Sequence, residues 1–269
     1  MVRFICPNCK EELIENNNML ECKNRHCFDI AKEGYTNLLL ANKKNSQFPG
    51  DNKQMVLARE EFLKKDFYKP LANALSKCII ERDKKSGYIL DAGCGVGYYS
   101  QSIANTIENR TNIYGIDISK FAIQKAAKKN QRLNFAVASI FDLPFKDKSF
   151  DIILNVFSPK SYKEFNRVLK DDGVLLEVMA GEKHLWELKE VLYKDSVREN
   201  VPDFEYGDFK LDKKENIKYK IHIDNNIDLK NLLTMTPYRY KTSEEDIKSL
   251  SSVDILDVTI DFIIACWKK

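Results

Sequence analysis

The stretch Tyr88-Ile89-Leu90-Asp91-Ala92-Gly93-Cys94-Gly95-Val96-Gly97-Tyr98-Tyr99 decides the fold. A short apolar run leads into Asp91, after which glycine recurs at every second position: 93, 95 and 97. Such a pattern predicts a buried strand that turns sharply and feeds a helix starting at Tyr98. A turn of this kind needs glycine where a Cβ would collide with a ligand approaching the backbone.

Working downstream, apolar strands and amphipathic helices alternate. Strands are expected at Asn112–Ile118, Asn134–Ala138, Phe150–Phe157 and Val174–Met179, and helices at Ser119–Asn130, Tyr162–Leu169 and His184–Tyr193. This alternation predicts an α/β domain with a mostly parallel sheet and helices on both faces. Met235–Tyr240 and Ile255–Trp267 read as late strands, the last of them antiparallel. The charge-rich stretch 194–228 has weak periodicity and is left unassigned, as a guess a substrate-side insertion.

Upstream, residues 1–36 form a cysteine-bearing module of short apolar pieces separated by polar turns such as Asn16-Asn17-Asn18. Residues 37–84 read as a linker with a Pro49-Gly50 turn, followed by two helices broken near Pro70. The α/β domain then occupies 85–269.

Composition bounds the function. With 43% hydrophobic and 11% aromatic residues in 269, the chain should bury an ordinary globular core. It has no apolar leader and no run of about 18 apolar residues, so we expect a cytoplasmic protein that does not enter a membrane. The net charge of +3 lies in the first 80 residues, where Lys and Arg outnumber Asp and Glu by 13 to 10. That is a weak pointer to a polyanionic partner.

Four of the seven cysteines fall in the first 27 residues. Cys6-Pro7-Asn8-Cys9 has the two-residue spacing of a tight turn around tetrahedral zinc, and Cys22-x3-His26 follows after twelve residues. Either His26 or the adjacent Cys27 would complete the four-coordinate set. A closed site leaves no open position for water, which makes the metal structural.

The glycine loop points to an adenosine ligand. Asp117 ends the next strand, where a carboxylate can accept hydrogen bonds from two ribose hydroxyls. Dinucleotide sites space their glycines as G-x-G-x-x-G, whereas here Tyr98 stands at the third position. The D-x-G-x-G-x-G form headed by Asp91 is the one methyltransferases favour, with Gly93, Gly95 and Gly97 against S-adenosylmethionine. Asp142-Leu143-Pro144-Phe145 and Ser149-Phe150-Asp151 resemble the region beside the adenine in class I methyltransferases. Phe157, Ser158 and Pro159 follow the fourth strand, and ligands gather at the carboxyl ends of parallel strands, so these three are expected to line a substrate pocket.

Several motifs in fixed order carry a resemblance. Cys-Pro-x-Cys at 6–9, Cys22 to His26, Phe28-Asp29-x-Ala31-Lys32-Glu33-Gly34-Tyr35, Pro49-Gly50-Asp51 with Met55-x-x-Ala58-Arg59, the glycine loop, His184-Leu185-x-Glu187 and Leu232-Leu233-x-Met235-Thr236-Pro237 together resemble the bacterial 23S ribosomal RNA guanine-N1 methyltransferases. The resemblance implies a Rossmann-like class I methyltransferase domain behind a zinc module that helps recognise an RNA hairpin. It implies zinc on Cys6, Cys9, Cys22 and His26, and places Tyr68, Tyr99, Ser100 and His184 around S-adenosylmethionine. It also implies 23S ribosomal RNA as partner and a capacity to form a homodimer. Asn155-Val156-Phe157-Ser158-Pro159 resembles only loosely the segment at which amino-group methyltransferases position their target nitrogen, and no residue in the sequence declares itself the general base. Two rival readings are a small-molecule methyltransferase, for which the zinc module has no use, and a non-enzymatic zinc-ribbon RNA-binding protein, which has no need of Gly93 through Asp117.

Overall fold

Short apolar runs flanked by helices can bury both faces only in the interior of a covered sheet, and that is where Ile89–Ala92 lies. The computed structural model describes residues 2–43, 49–82, 87–106, 112–193, 208–240 and 242–269. It begins with β1 (Ile14–Asn16), β2 (Met19–Glu21) and β3 (Cys27–Asp29), which pair antiparallel as a small sheet. There follow β4 (Tyr35–Asn37), α1 (Lys53–Leu63), α2 (Lys69–Arg82), β5 (Ile89–Ala92), α3 (Tyr98–Thr106), β6 (Ile113–Asp117), α4 (Lys120–Lys129) and β7 (Asn134–Val137). The remainder is β8 (Phe150–Val156), α5 (Tyr162–Val168), β9 (Leu169–Ala180), α6 (Trp186–Leu192), β10 (Lys210–Ile223), α7 (Asn226–Thr234), α8 (Glu244–Leu250) and β11 (Leu256–Lys268).

The large sheet has the order β10-β11-β9-β8-β5-β6-β7-β4. Six strands from β4 to β9 run parallel, and β11 is antiparallel to both its neighbours. The order reverses at β5, between β6 and β8, and a crevice opens there at the carboxyl ends of the strands. The expected antiparallel last strand is present, but it is interior, with the long β10 outside it at the edge. Trp267, fully buried near the end of β11, donates from Nε1 to Glu177 Oε2 of β9 at 3.2 Å, and Lys160 pairs with the other oxygen of that buried carboxylate.

Two expectations need correcting. Met235–Tyr240 is not a strand: Met235 caps α7, and Pro237–Tyr240 is a turn of 3-10 helix, because Pro237 has no N–H to give a ladder. The boundary at residue 36 cuts through β4, whose Tyr35–Asn37 pairs parallel with Phe135–Val137. The two helices expected with a break near Pro70 are α1 and α2: the break is at Lys64–Tyr68, where Asp66 has φ +60°, and Pro70 sits in the first turn of α2. The unassigned stretch resolves in its second half into β10 and the start of α7, and 194–207 lies outside the described residues.

The cysteine module is part of the core and not an appendage. Cys6, Leu13 and Cys22 are buried with Phe145, Phe150, Phe165 and Trp267 on one face of the large sheet. Phe4 meets Phe145 at 5.2 Å and Tyr114 at 5.6 Å between ring centres, and Phe145 meets Phe150 at 4.7 Å. Tyr114 Oη donates to Val2 O at 2.6 Å, and Ile5 N donates to Pro144 O at 2.8 Å. Phe145→Ala should therefore lower the unfolding free energy by about 3–5 kcal/mol, the usual toll for deleting a fully buried phenylalanine. In hydrogen exchange it should expose the amides of residues 2–13 together with β8, whereas exchange confined to either region alone would contradict a shared core.

Candidate active site and metal centre

The site is built on the joint between β5 and β8. Gly93 has φ +85°, and a Cβ there would come 2.4 Å from Ser158 Cβ, so glycine is required both for conformation and for space. Ser158 Oγ donates to Ala92 O at 2.8 Å. Asn155, 1% exposed, spends its amide nitrogen on Ala92 O at 3.3 Å, Ser158 Oγ at 2.5 Å and Pro159 O at 3.0 Å. Asn155 and Ser158 thus clamp the loop after β8 to the glycine loop.

Above this clamp lies a cavity of about 520 Å³, within the range of small-molecule sites. Gly93 and Gly95 form its floor, Tyr68 and Tyr99 one wall, and Phe157 and His184 another. Phe157 is 42% exposed and has φ +53°, a conformation that is uncommon for a bulky residue and costs strain. Its ring lies 4.9 Å from that of Phe262 and is nearly parallel, at 10°, to that of His184, 6.5 Å away between ring centres. His184 is buried and its Nδ1 accepts the Asp261 N–H at 3.4 Å, which in the neutral ring assigns the proton to Nε2.

The acids of the motif lie behind the cavity wall. Asp117 accepts from Gly95 N at 2.9 Å and Ser119 N at 2.8 Å. Burial pushes its carboxyl above the ordinary range, the negative charge of Asp51 adds to this, and the two N–H donors oppose it. Asp91 is buried beneath the glycine loop, where its Oδ2 accepts from Ser100 Oγ at 2.5 Å and its Oδ1 has no hydrogen-bond partner. Burial pushes it up to about 6.

Of the residues expected around the cofactor, Tyr68, Gly93, Gly95, Tyr99 and His184 come together on the cavity wall. Asp91, Gly97, Ser100 and Asp117 do not; they hold the loop from beneath or behind, and Gly97 backs onto Ala126 of α4. Of the expected pocket residues only Phe157 lines the cavity, since Ser158 faces Gly93 and the Pro159 carbonyl faces Asn155. The sequence reading missed the far wall: Asp51, Met55 and Arg59 from the start of α1, and Met235 to Tyr238 with Tyr240. Its signal was present in Pro49-Gly50-Asp51 and Met55-x-x-Ala58-Arg59, which were noted as motifs and given no role.

The metal centre is equally local. The ligand atoms of Cys6, Cys9, Cys22 and His26 all lie within 4.8 Å of one another. The edges Cys6 Sγ to His26 Nδ1 at 3.5 Å, Cys22 Sγ to His26 Nδ1 at 3.4 Å and Cys9 Sγ to Cys22 Sγ at 3.6 Å are close to the ~3.6 and ~3.8 Å expected from tetrahedral zinc bonds. Cys27 is exposed and its thiol turns to Arg25 O, whereas His26 completes the cluster of four candidate ligand atoms. Backbone donation from Glu11 N–H lowers the Cys9 thiol to about 6, favouring the thiolate that a metal needs. The donor set fits structural zinc.

Asp91 gives the site a pH signature. Its carboxyl titrates higher folded, about 6, than unfolded, 3.8, so folding favours the protonated form. The stability this contributes is complete below about pH 4 and is lost as the pH rises to about 6. Urea unfolding of Asp91→Asn and the parent chain should diverge by about 3 kcal/mol across that window in favour of the variant, and run parallel above it. A pH-independent difference would remove Asp91 as a buried titrating acid.

Comparison with known proteins agrees with both centres. Residues 4–47 match the zinc-ribbon family described as RlmA, N-terminal, and residues 83–226 match a methyltransferase domain. A Bacillus subtilis (strain 168) protein provisionally named 23S rRNA (guanine-N(1)-)-methyltransferase YxjB is 31% identical over 99% of this chain and 97% of its own. The 23S rRNA (guanine(748)-N(1))-methyltransferase of Streptomyces fradiae is 33% identical over 74% of this chain and 71% of its own. In fold, the chain is similar to a provisionally assigned type II methyltransferase from Anaeromyxobacter dehalogenans, with a TM-score of 0.51 at 20% identity over 72% of this chain and 94% of that one. The chain belongs to the 23S ribosomal RNA guanine-N1 methyltransferase family, an N-terminal zinc ribbon joined to a class I S-adenosylmethionine-dependent methyltransferase domain.

Proposed function

We propose that this chain transfers a methyl group from S-adenosylmethionine to N1 of a guanine in a hairpin loop of 23S ribosomal RNA. One observation carries the proposal: a glycine-floored cavity opens past a strained, half-exposed aromatic, Phe157, in a chain whose zinc ribbon packs on the same sheet. The names of the relatives, which specify guanine N1 of 23S rRNA, point the same way. A cytoplasmic site of action accords with such a substrate, and no described helix is long and apolar enough to cross a membrane.

When bound, S-adenosylmethionine supplies an electrophilic methyl on a sulfonium. The protein's own tasks are alignment and exclusion of water. Gly93 and Gly95 present bare backbone to the cofactor, with Asp117 holding Gly95 in place through its N–H. Tyr68 and Tyr99 close one side, and the His184 Nε2–H serves as a donor rather than a base. Asp91 and Ser100 hold the loop's shape, and Gly97 lets α4 approach it. Guanine N1 is engaged in pairing within a duplex, so the base must come from a loop or be extruded. Phe157 offers it a stacking face, on a loop fixed by Ser158 and Pro159 through Asn155. Structural zinc on Cys6, Cys9, Cys22 and His26 orders the ribbon that meets the RNA.

Incubation of purified protein with labelled S-adenosylmethionine and a 23S transcript should place label in 1-methylguanosine at one hairpin. Label in another nucleoside, or none while small acceptors are methylated, would overturn the assignment. Phe157→Ala should raise the KM for RNA about 10-fold or more, the scale of one lost base–aromatic stack, with little change in cofactor affinity.

A further inference from the structure

Arg59 is the cation of the cavity wall that the reading above leaves without a task. It projects from α1, and its Cδ lies 3.8 Å from where a Cβ on Gly95 would be, directly over the glycine loop. One terminal nitrogen, Nη2, is held by Asp51 at 2.7 Å and by Met235 O at 2.9 Å. Its Nε is shielded from solvent and has no hydrogen-bond partner. A guanidinium has five N–H donors, and the contacts of Arg59 among the described residues both fall on Nη2, so donors are left for an acceptor arriving in the cavity that Arg59 lines.

The surroundings define that acceptor. Asp51 and Asp117 are close enough for the charge of the first to raise the second, and Arg59 opposes the rise. An anion entering this corner therefore meets two carboxylates as well as one guanidinium. A phosphodiester brings negative charge alone. An amino-acid head group brings a carboxylate for Arg59 and an ammonium for the acids beside it. We infer that Arg59 receives the α-carboxylate of the cofactor's methionine moiety, so that the Asp51–Arg59 pair reads the zwitterionic end of the ligand. The inference rests on the cavity being the S-adenosylmethionine site.

It further assigns the Met235 carbonyl a positioning role, since that carbonyl and Asp51 together fix the plane of the guanidinium. The start of α1 and the segment after α7 are thereby tied across the cavity by one side chain.

The test compares two ligands that share adenosine and the sulfur but differ in the amino acid. Calorimetric titration of the zinc-loaded full chain with S-adenosylhomocysteine and with 5′-methylthioadenosine should show the first binding more tightly. In Arg59→Gln, affinity for S-adenosylhomocysteine should fall about 10- to 100-fold, the range for hydrogen bonds to a charged group, while 5′-methylthioadenosine binds as before. Undiminished binding of the second ligand also certifies that the variant is folded. Arg59→Lys should recover part of the discrimination, and Asp51→Asn, which takes the acid away from the ammonium, should lose part of it.

Equal losses for both ligands in Arg59→Gln would make Arg59 a scaffold residue and overturn the inference. So would a variant that keeps full discrimination and loses only RNA affinity, which would assign the guanidinium to phosphate. A parent chain that binds neither ligand would instead defeat the cofactor reading itself, and the Arg59 assignment with it.

Discussion

The contact between Ala92-Gly93 and Asn155–Ser158 is the constraint on which the site depends. Two strand ends meet with no side chain between them, because a Cβ on Gly93 would overlap Ser158. The lone amide of Asn155 then ties the two loops through three acceptors, one of them the Ala92 carbonyl. The cofactor floor and the substrate-side loop therefore cannot move independently. In a methyl transfer, where donor sulfur and acceptor nitrogen must stand in line, a shared joint removes a degree of freedom that binding would otherwise have to fix. The left-handed Phe157 follows from the same joint, since the chain must turn abruptly between Asn155 and Ser158 to bring both back to Ala92.

The electrostatics of this corner are arranged around that floor. Asp91, Asp117 and Asp51 gather near one loop, an arrangement unfavourable enough that burial and mutual repulsion raise both Asp91 and Asp117. Backbone N–H groups from Ser119 and Gly95 offset part of this rise at Asp117, and Arg59 adds a smaller share. Such a concentration of acid suits a ligand that carries positive charge, and a sulfonium with an ammonium carries two. It also suits a cycle in which the product, having lost the sulfonium charge, is held less firmly.

Much of this was legible in the sequence because it was local. Ile89-Leu90 leading into spaced glycines names a strand, a turn and a helix by sterics alone, and Asp117 follows from the next strand's end. Cys6-x-x-Cys9 and Cys22-x3-His26 are likewise short-range patterns. What escaped was set by tertiary context. In β10 the alternation of Ile217, Tyr219 and Ile221 is hidden among lysines, which an exposed edge strand needs to discourage pairing with other chains. β4 is three residues long, too short for any periodicity, and exists only because β7 offers it a partner. The choice of His26 over Cys27 depended on which way each side chain leaves a turn in which Arg25 has φ +64°. Asp91 looked like a ligand contact because it heads the motif, yet its neighbour in space is Ser100 and the cavity is on the other side of the loop.

The position of the zinc ribbon joins these threads. Its first knuckle is pinned to the loop after β7 by Ile5 N to Pro144 O, by Lys10 to Asp142 at 2.7 Å and by Glu12 to Lys146 at 2.8 Å. The exposed ion pairs contribute little each, but the buried contacts of Cys6, Leu13, Phe4 and Phe145 do not depend on salt. That loop leaves the carboxyl end of β7, two strands from the glycine turn and next to β6, which ends in Asp117. The cysteine knuckle therefore buttresses the side of the sheet on which Asp117 holds Gly95. The ribbon residues Cys6, Leu13 and Cys22 and the strand residues Leu90 and Ala92, which lead into the glycine loop, pack in one buried cluster with Phe145 and Phe150. The two-part sequence thus joins its cysteine module and the root of its glycine loop through shared apolar packing.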